Sequence, residues 1–169
     1  INYWSNKGIS CSYLSSELTK EEVFKIRSMT KCNLMMNVFG YIPMFTSKRP
    51  LVKNYLEKFN LFDNSSINYL EKENNLYPIV SSDITTVYSS KILNLSQDIK
   101  ELENERINYL VFNSFNIEDN IFLEIMNLFN LLTSDNIKDT FNKINMLLNY
   151  NIDTGFFYKE TVYKVKKNG

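Results

Sequence analysis

Strand-like and helix-like stretches take turns along most of this chain, and that alternation constrains its fold more than any other feature. GISCSYL (8–14) alternates apolar and small polar residues, as a strand with one buried face does. SSELTKEEVFKI (15–26) carries a helix start. Thr19 stands at the N-cap with Glu22 three residues on, a capping box, and Val23, Phe24 and Ile26 supply the apolar face. NLMMNVFGYI (33–42) reads as the next strand and LVKNYLEKF (51–59) as an amphipathic helix. Strand, helix, strand, helix favours parallel strands joined by crossover helices.

The rhythm breaks at 66–90, a stretch rich in Ile, Val, Thr and Tyr and punctuated by Asn74-Asn75 and Ser81-Ser82-Asp83, which reads as two or three antiparallel strands. Alternation resumes with a helix at 95–105 (Ser96 as its cap), a strand at 107–115, and a helix at 117–132 whose apolar positions 121, 125, 128 and 132 form one stripe. Another helix follows at about 135–149, and the tail 155–169 has strand-like alternation with a basic end. The expectation is an α/β fold: the C-terminal part of a TIM-type (β/α) barrel in a single domain (1–169), with an antiparallel β insertion at 66–90. Three strand-helix units fall short of a closed eight-fold barrel, so the remaining strands are expected outside the chain or from a partner.

Composition narrows the chemistry. Lys and Arg total 19 and Asp and Glu total 19, so attraction to nucleic acid must come from a local patch and not from net charge. No apolar run approaches 18 residues and no signal pattern opens the chain, so a cytoplasmic protein without a membrane span is expected. The sequence has no histidine, which removes histidine triads, the common zinc sites and the usual general base near neutral pH. Cys11 and Cys32 are 21 residues apart with no CxxC, so neither a zinc knuckle nor a complete cluster site can be built; they read as two half-buried thiols.

The densest polar grouping is FGYIPMFTSKRPLVKNY (39–55), a stretch stiffened by Pro43 and Pro50. Lys48 and Arg49 suit an anion such as phosphate, Arg through two parallel hydrogen bonds, with Thr46 and Ser47 as hydroxyl donors. Asn54 follows them, and Tyr41 and Tyr55 flank the cations as stacking candidates. The competing reading is a solvated loop capping the next helix. Glu17 is either a site carboxylate or a partner for a helix N-terminus, and Asp83 with Thr85 and Thr86 is either a site loop or a turn. Ser47 beside Lys48 is too slight for a Ser-Lys nucleophile, since adjacent residues in extended chain point apart, and no catalytic residue or metal ligand is assigned.

Five stretches in order carry a family resemblance: YLSSELTKEEV (13–23), NVFGYIPMFTSKRPLVKNY (37–55), YLEKENNLYPIVSSDITTVYSSK (69–91), ILNLSQDIKELENERINYLVFNSF (92–115) and GFFYKETVYKVKK (155–167). Together they resemble the collagenase-like peptidase family, peptidase family U-thirty-two. The resemblance implies a (β/α) barrel and two activities: proteolysis of collagen-like substrates, or oxygen-independent hydroxylation by members with a cysteine-ligated iron–sulfur cluster. It is strongest to the small paralogue of a bacterial pair that installs 5-hydroxyuridine at the tRNA wobble position. In cluster-bearing relatives the loop matching 39–55 supplies cysteines where this chain has Pro43 and Pro50, and VFNSF (111–115) keeps only Asn113 and Ser114 of a charged cluster. The expectation is a substrate-binding component of tRNA wobble-uridine 5-hydroxylation. It would hold no cofactor of its own and work beside a larger cysteine-bearing paralogue that carries any iron–sulfur cluster. A collagenase-like peptidase and a non-catalytic scaffold are the alternatives.

Overall fold

The computed structural model describes residues 1–159. After a short helix α1 (Asn2–Ser5) come β1 (Cys11–Tyr13), α2 (Lys20–Met29) and β2 (Asn33–Gly40). Then follow β3 (Pro43–Ser47), α3 (Leu51–Phe59), β4 (Asn68–Lys72), β5 (Asn75–Ser81) and β6 (Thr85–Tyr88). The chain returns with β7 (Ile92–Asn94), α4 (Ile99–Asn104), β8 (Tyr109–Phe112), α5 (Asp119–Asn130), α6 (Ile137–Leu147) and β9 (Ile152–Asp153). Local chemistry accounts for several boundaries. Thr19 and Glu22 form the capping box of α2, each side chain bonded to the other's backbone N–H. The β4–β5 hairpin closes through Glu73 and Asn74, both at positive φ, the geometry of a two-residue turn that matches strand twist.

The strands form two open sheets, which corrects the expectation of a TIM-type barrel part. In the first, β2 is central. It pairs with β8 in parallel along one edge, while its other edge is shared by β1, parallel at Asn33–Met35, and β7, antiparallel at Phe39 and Gly40. The antiparallel β7 sits where a barrel would need another parallel strand, and β9 continues outward from β7, so the sheet does not close. The second sheet is wholly antiparallel, in the order β3-β6-β5-β4. It extends the expected 66–90 insertion backwards, because β3 pairs with β6 through Thr46↔Thr86 and Ser47↔Thr85. Pro43 is tolerated as the first residue of an edge strand, and Pro78 lies where β6 has not yet joined β5, whose pairing begins at Ile79.

Leu34, Met36 and Val38 of β2 belong to a buried core with Val23 of α2, Leu102 of α4, Ile125 of α5 and Ile144 of α6. Phe39 of the same strand is fully buried against Phe112, Phe122 and Phe129. The two sheets meet through aromatic rings: Tyr88 stacks on Phe115 at 3.9 Å, and Tyr41 meets Phe115 edge-on. Ser96, expected to cap α4, is instead fully buried with no partner for its Oγ among the described residues, and Asp98 takes the N-cap position. The expected strand and basic tail at 155–169 begin in a turn at Gly155–Tyr158, and residues 160–169 lie outside the described region.

Candidate functional site

β1 ends at Tyr13, and the parallel strand β2 carries Asn37 past that point with no β1 residue opposite it. The gap is one wall of a partly open cavity of about 290 Å³ at the C-terminal end of β1, where open α/β sheets place ligands. Met36, Leu93, Leu95 and Phe157, all buried, form its floor. Ser15 and Ser16 line it from the β1 side, and Ser89, Ser90 and Lys91 from the turn before β7. The segment Asp153–Phe157 closes it from the β9 side, with Lys159 beyond.

Hydrogen bonds hold this lining in place. Tyr13 Oη donates to Asn37 Oδ1 at 2.5 Å, while Asn37 Nδ2 donates to Ser16 Oγ at 2.9 Å. Ser89 Oγ accepts from Ile42 N and donates to the Lys91 carbonyl, so the turn presents its neighbours to the cavity in a fixed way. Gly155 N donates to Asp153 Oδ1, and Gly155 takes φ +60.

The closing segment is fastened to α2. Lys20 N donates to the Phe157 carbonyl at 2.8 Å, and Lys20 Nζ reaches Asp98 Oδ1 at 3.1 Å and Glu101 Oε2 at 2.5 Å. Tyr158 Oη donates to the same Asp98 carboxylate, and the Lys20 ammonium lies over the Phe24, Phe157 and Tyr158 rings. Burial works against the Lys20 charge, but the hydrogen bonds from Glu101 and Asp98 outweigh it and hold the ammonium above the ordinary lysine value. Burial is also the first cause that raises Tyr13, Tyr41 and Tyr158 above the ordinary tyrosine value. In each of these four groups the folded state holds its proton more tightly than the unfolded state. Their contribution to stability is therefore complete below the unfolded tyrosine pKa, about 10, and is lost as pH climbs through the higher folded values. Folding free energy should begin to fall as pH passes about 10, and tyrosinate absorbance should show a late phase from Tyr13, Tyr41 and Tyr158. A titration in which all tyrosines ionise together would refute this.

The residues singled out in the sequence are distributed differently. Thr46 and Ser47 belong to strand β3 and not to a loop, and Ser47 Oγ accepts from Arg49 N. The hydroxyl of Thr85, fully buried, donates to the Arg49 carbonyl and accepts from Leu51 N, so Thr85 fixes the join into α3. Lys48, Arg49 and Asn54 are exposed. Tyr41 is buried, accepting from Asn151 Nδ2 through its hydroxyl and from Asn113 Nδ2 through its carbonyl. Tyr55 packs on Phe59 and lines a separate open groove of about 930 Å³ between α3 and the second sheet. Glu17 is exposed in the turn before α2, one residue from the cavity-lining Ser16. The structure thus gathers no single site from these eight. Asn37, Ser90, Lys91, Asp153 and Thr154 were not singled out in the sequence. For Ser90 and Lys91 the one legible signal is position, since Ser89-Ser90-Lys91 directly precedes a strand.

A family model for peptidase family U32 matches residues 1–165. The chain belongs to this family. It is 28% identical over 183 residues to tRNA hydroxylation protein P2 of Bacillus subtilis, a match that covers 96% of this chain and 59% of that protein. The U32 chain therefore spans about 59% of the length of the curated relative it matches. No solved structure matches it.

The iron–sulfur cluster expected among U32 relatives needs four thiolates. This U32 chain has two cysteines: Cys11 opens β1, at the end of the parallel strands away from the cavity, and Cys32 is buried with its Sγ against the Ile9 carbonyl. Among the described residues no three potential ligands from His, Cys, Asp and Glu come together. The donor set does not fit a cluster. No helix in the described region is long and apolar enough to cross a membrane.

Proposed function

We propose that this U32 chain is the RNA-binding component of a tRNA-hydroxylating system, acting on the wobble uridine in the cytoplasm beside a larger, cysteine-bearing paralogue that supplies the oxidation. Likeness along 96% of the chain to a protein named for tRNA hydroxylation carries the reading. The cavity agrees with it: hydroxyls, an amide and two lysines surround an apolar floor, a set that binds and orients a polar ring. The chain has no histidine, and Ser47 is engaged with backbone beside an exposed lysine, so hydrolysis of peptides has no equivalent support.

Nucleoside mass spectrometry of tRNA from cells with and without the gene tests the proposal. Deletion should abolish 5-hydroxyuridine and its derivatives, and the wild-type chain should restore them. Unchanged nucleosides would remove the tRNA reading. The exposed cations of the β3–α3 join are expected to meet RNA backbone. Lys48→Ala/Arg49→Ala should therefore flatten the slope of log affinity for tRNA against log salt by about 1.4, two phosphate contacts' worth. An unchanged slope would place the RNA elsewhere.

A further inference from the structure

We propose that the cavity between β1, β7 and the Asp153–Phe157 segment receives one unstacked pyrimidine of a single-stranded RNA, with Lys91 and Lys159 on the flanking phosphates. The inference rests on the tRNA reading and assigns the site that reading requires, because a protein that presents a base for chemistry must hold it out of the stack. Size comes first. About 290 Å³ equals roughly ten water molecules at about 30 Å³ each, room for a single-ring base and part of its ribose. Shape agrees, since Leu95 and Phe157 lie buried at the floor and the half-buried rings of Tyr77 and Phe156 line the walls, so a flat ring meets apolar and aromatic surface.

Hydrogen bonding then selects among bases. Ser16 Oγ accepts from Asn37, which leaves its own hydrogen to donate, and Asn37 Nδ2 has a second hydrogen. The hydroxyls of Ser90 and Thr154 make no hydrogen bond among the described residues. A lining with spare donors suits the two carbonyl oxygens of uracil. At the exposed rim Lys91 makes no ion pair among the described residues, and Lys159 lies over the Phe156 ring at 4.3 Å. Asp153, also at the rim, disfavours a phosphate on its own side. Its carboxylate has an oxygen left over after the Gly155 contact and can accept from a ribose 2′-hydroxyl, which favours RNA over DNA.

Binding of the full chain to a short single-stranded oligoribonucleotide with one central uridine tests the site. The controls are the same strand with an abasic residue or an adenosine at that position. The wild type should bind the uridine strand about tenfold tighter than either control. Ser90→Trp, which fills the cavity, should lower uridine-strand affinity to that of the abasic strand while leaving abasic-strand affinity unchanged, which also shows that the variant is folded. Equal affinity of the wild type for uridine and abasic strands, or no binding to either, would overturn the assignment. So would normal 5-hydroxyuridine levels in cells that depend on the Ser90→Trp chain. None of these results touches the tRNA reading itself, which the gene deletion decides.

Discussion

Gly40→Ala should cost about 4 kcal/mol of folding free energy, a large share of the 5–15 kcal/mol typical of a domain. Two effects combine. Gly40 has φ +108, a conformation that strains any residue with a Cβ. A Cβ there would also lie 2.2 Å from the Asn113 carbonyl oxygen and 2.7 Å from its Cβ. Asn113 cannot step aside, because three bonds pin it: its N–H to the Phe39 carbonyl, its Nδ2 to the Tyr41 carbonyl, and its Oδ1 to Phe115 N. The strand β2 or the β8 end would have to move, against a core with little room to give. Gly8→Ala separates the two effects. It has φ +96 with nothing within 4 Å of the added atom, so only the conformational part, about 1 kcal/mol, should appear. Urea unfolding of both variants checks the difference. Equal losses would mean that the close approach of β2 and β8 is not a constraint.

Lys20→Met should be next, at about 3 kcal/mol, because it leaves the Asp98 carboxylate buried without its cation. Asp98 has a side-chain exposure of 5%, and among the described residues the Tyr158 hydroxyl alone remains to meet it. The loss is not the worth of a salt bridge, since replacing both partners is far milder than removing one. Lys20→Met/Asp98→Leu should therefore recover a good part of the stability. Hydrogen exchange should locate the damage in the Asp153–Tyr158 segment, which leans on Lys20 through backbone, ring and hydroxyl contacts. A single variant as stable as the wild type would show that water reaches Asp98.

Features set by near neighbours were readable from the chain. Thr19 and Glu22 announce the start of α2, and the apolar spacing of LVKNYLEKF marks α3 from Leu51 to Phe59. Strands β7 and β9, three and two residues long, have no period to detect; they exist because Gly40 lies opposite Leu93 and Ile92 opposite Ile152. The same long-range pairing misled the fold reading. Alternation implied a barrel, but one antiparallel partner at Phe39 and Gly40 is enough to keep the sheet open. The site followed a similar pattern. The TSKR cluster stands out as local polarity, yet Thr85, 36 residues from Arg49, binds that join into the fold. The cavity is assembled from five separate stretches of chain, none with more than three polar residues to contribute.

The pairing of Gly40 with Leu93 has one more consequence. The chain departs for the second sheet and comes home at neighbouring rungs of the same ladder, so everything between is an excursion whose two ends already touch. The entropy of closing such a detour grows only with the logarithm of its length. Proteins built on this plan can lengthen, trim or exchange the second sheet while the first keeps its strand order, and can change what they meet without rebuilding what they hold.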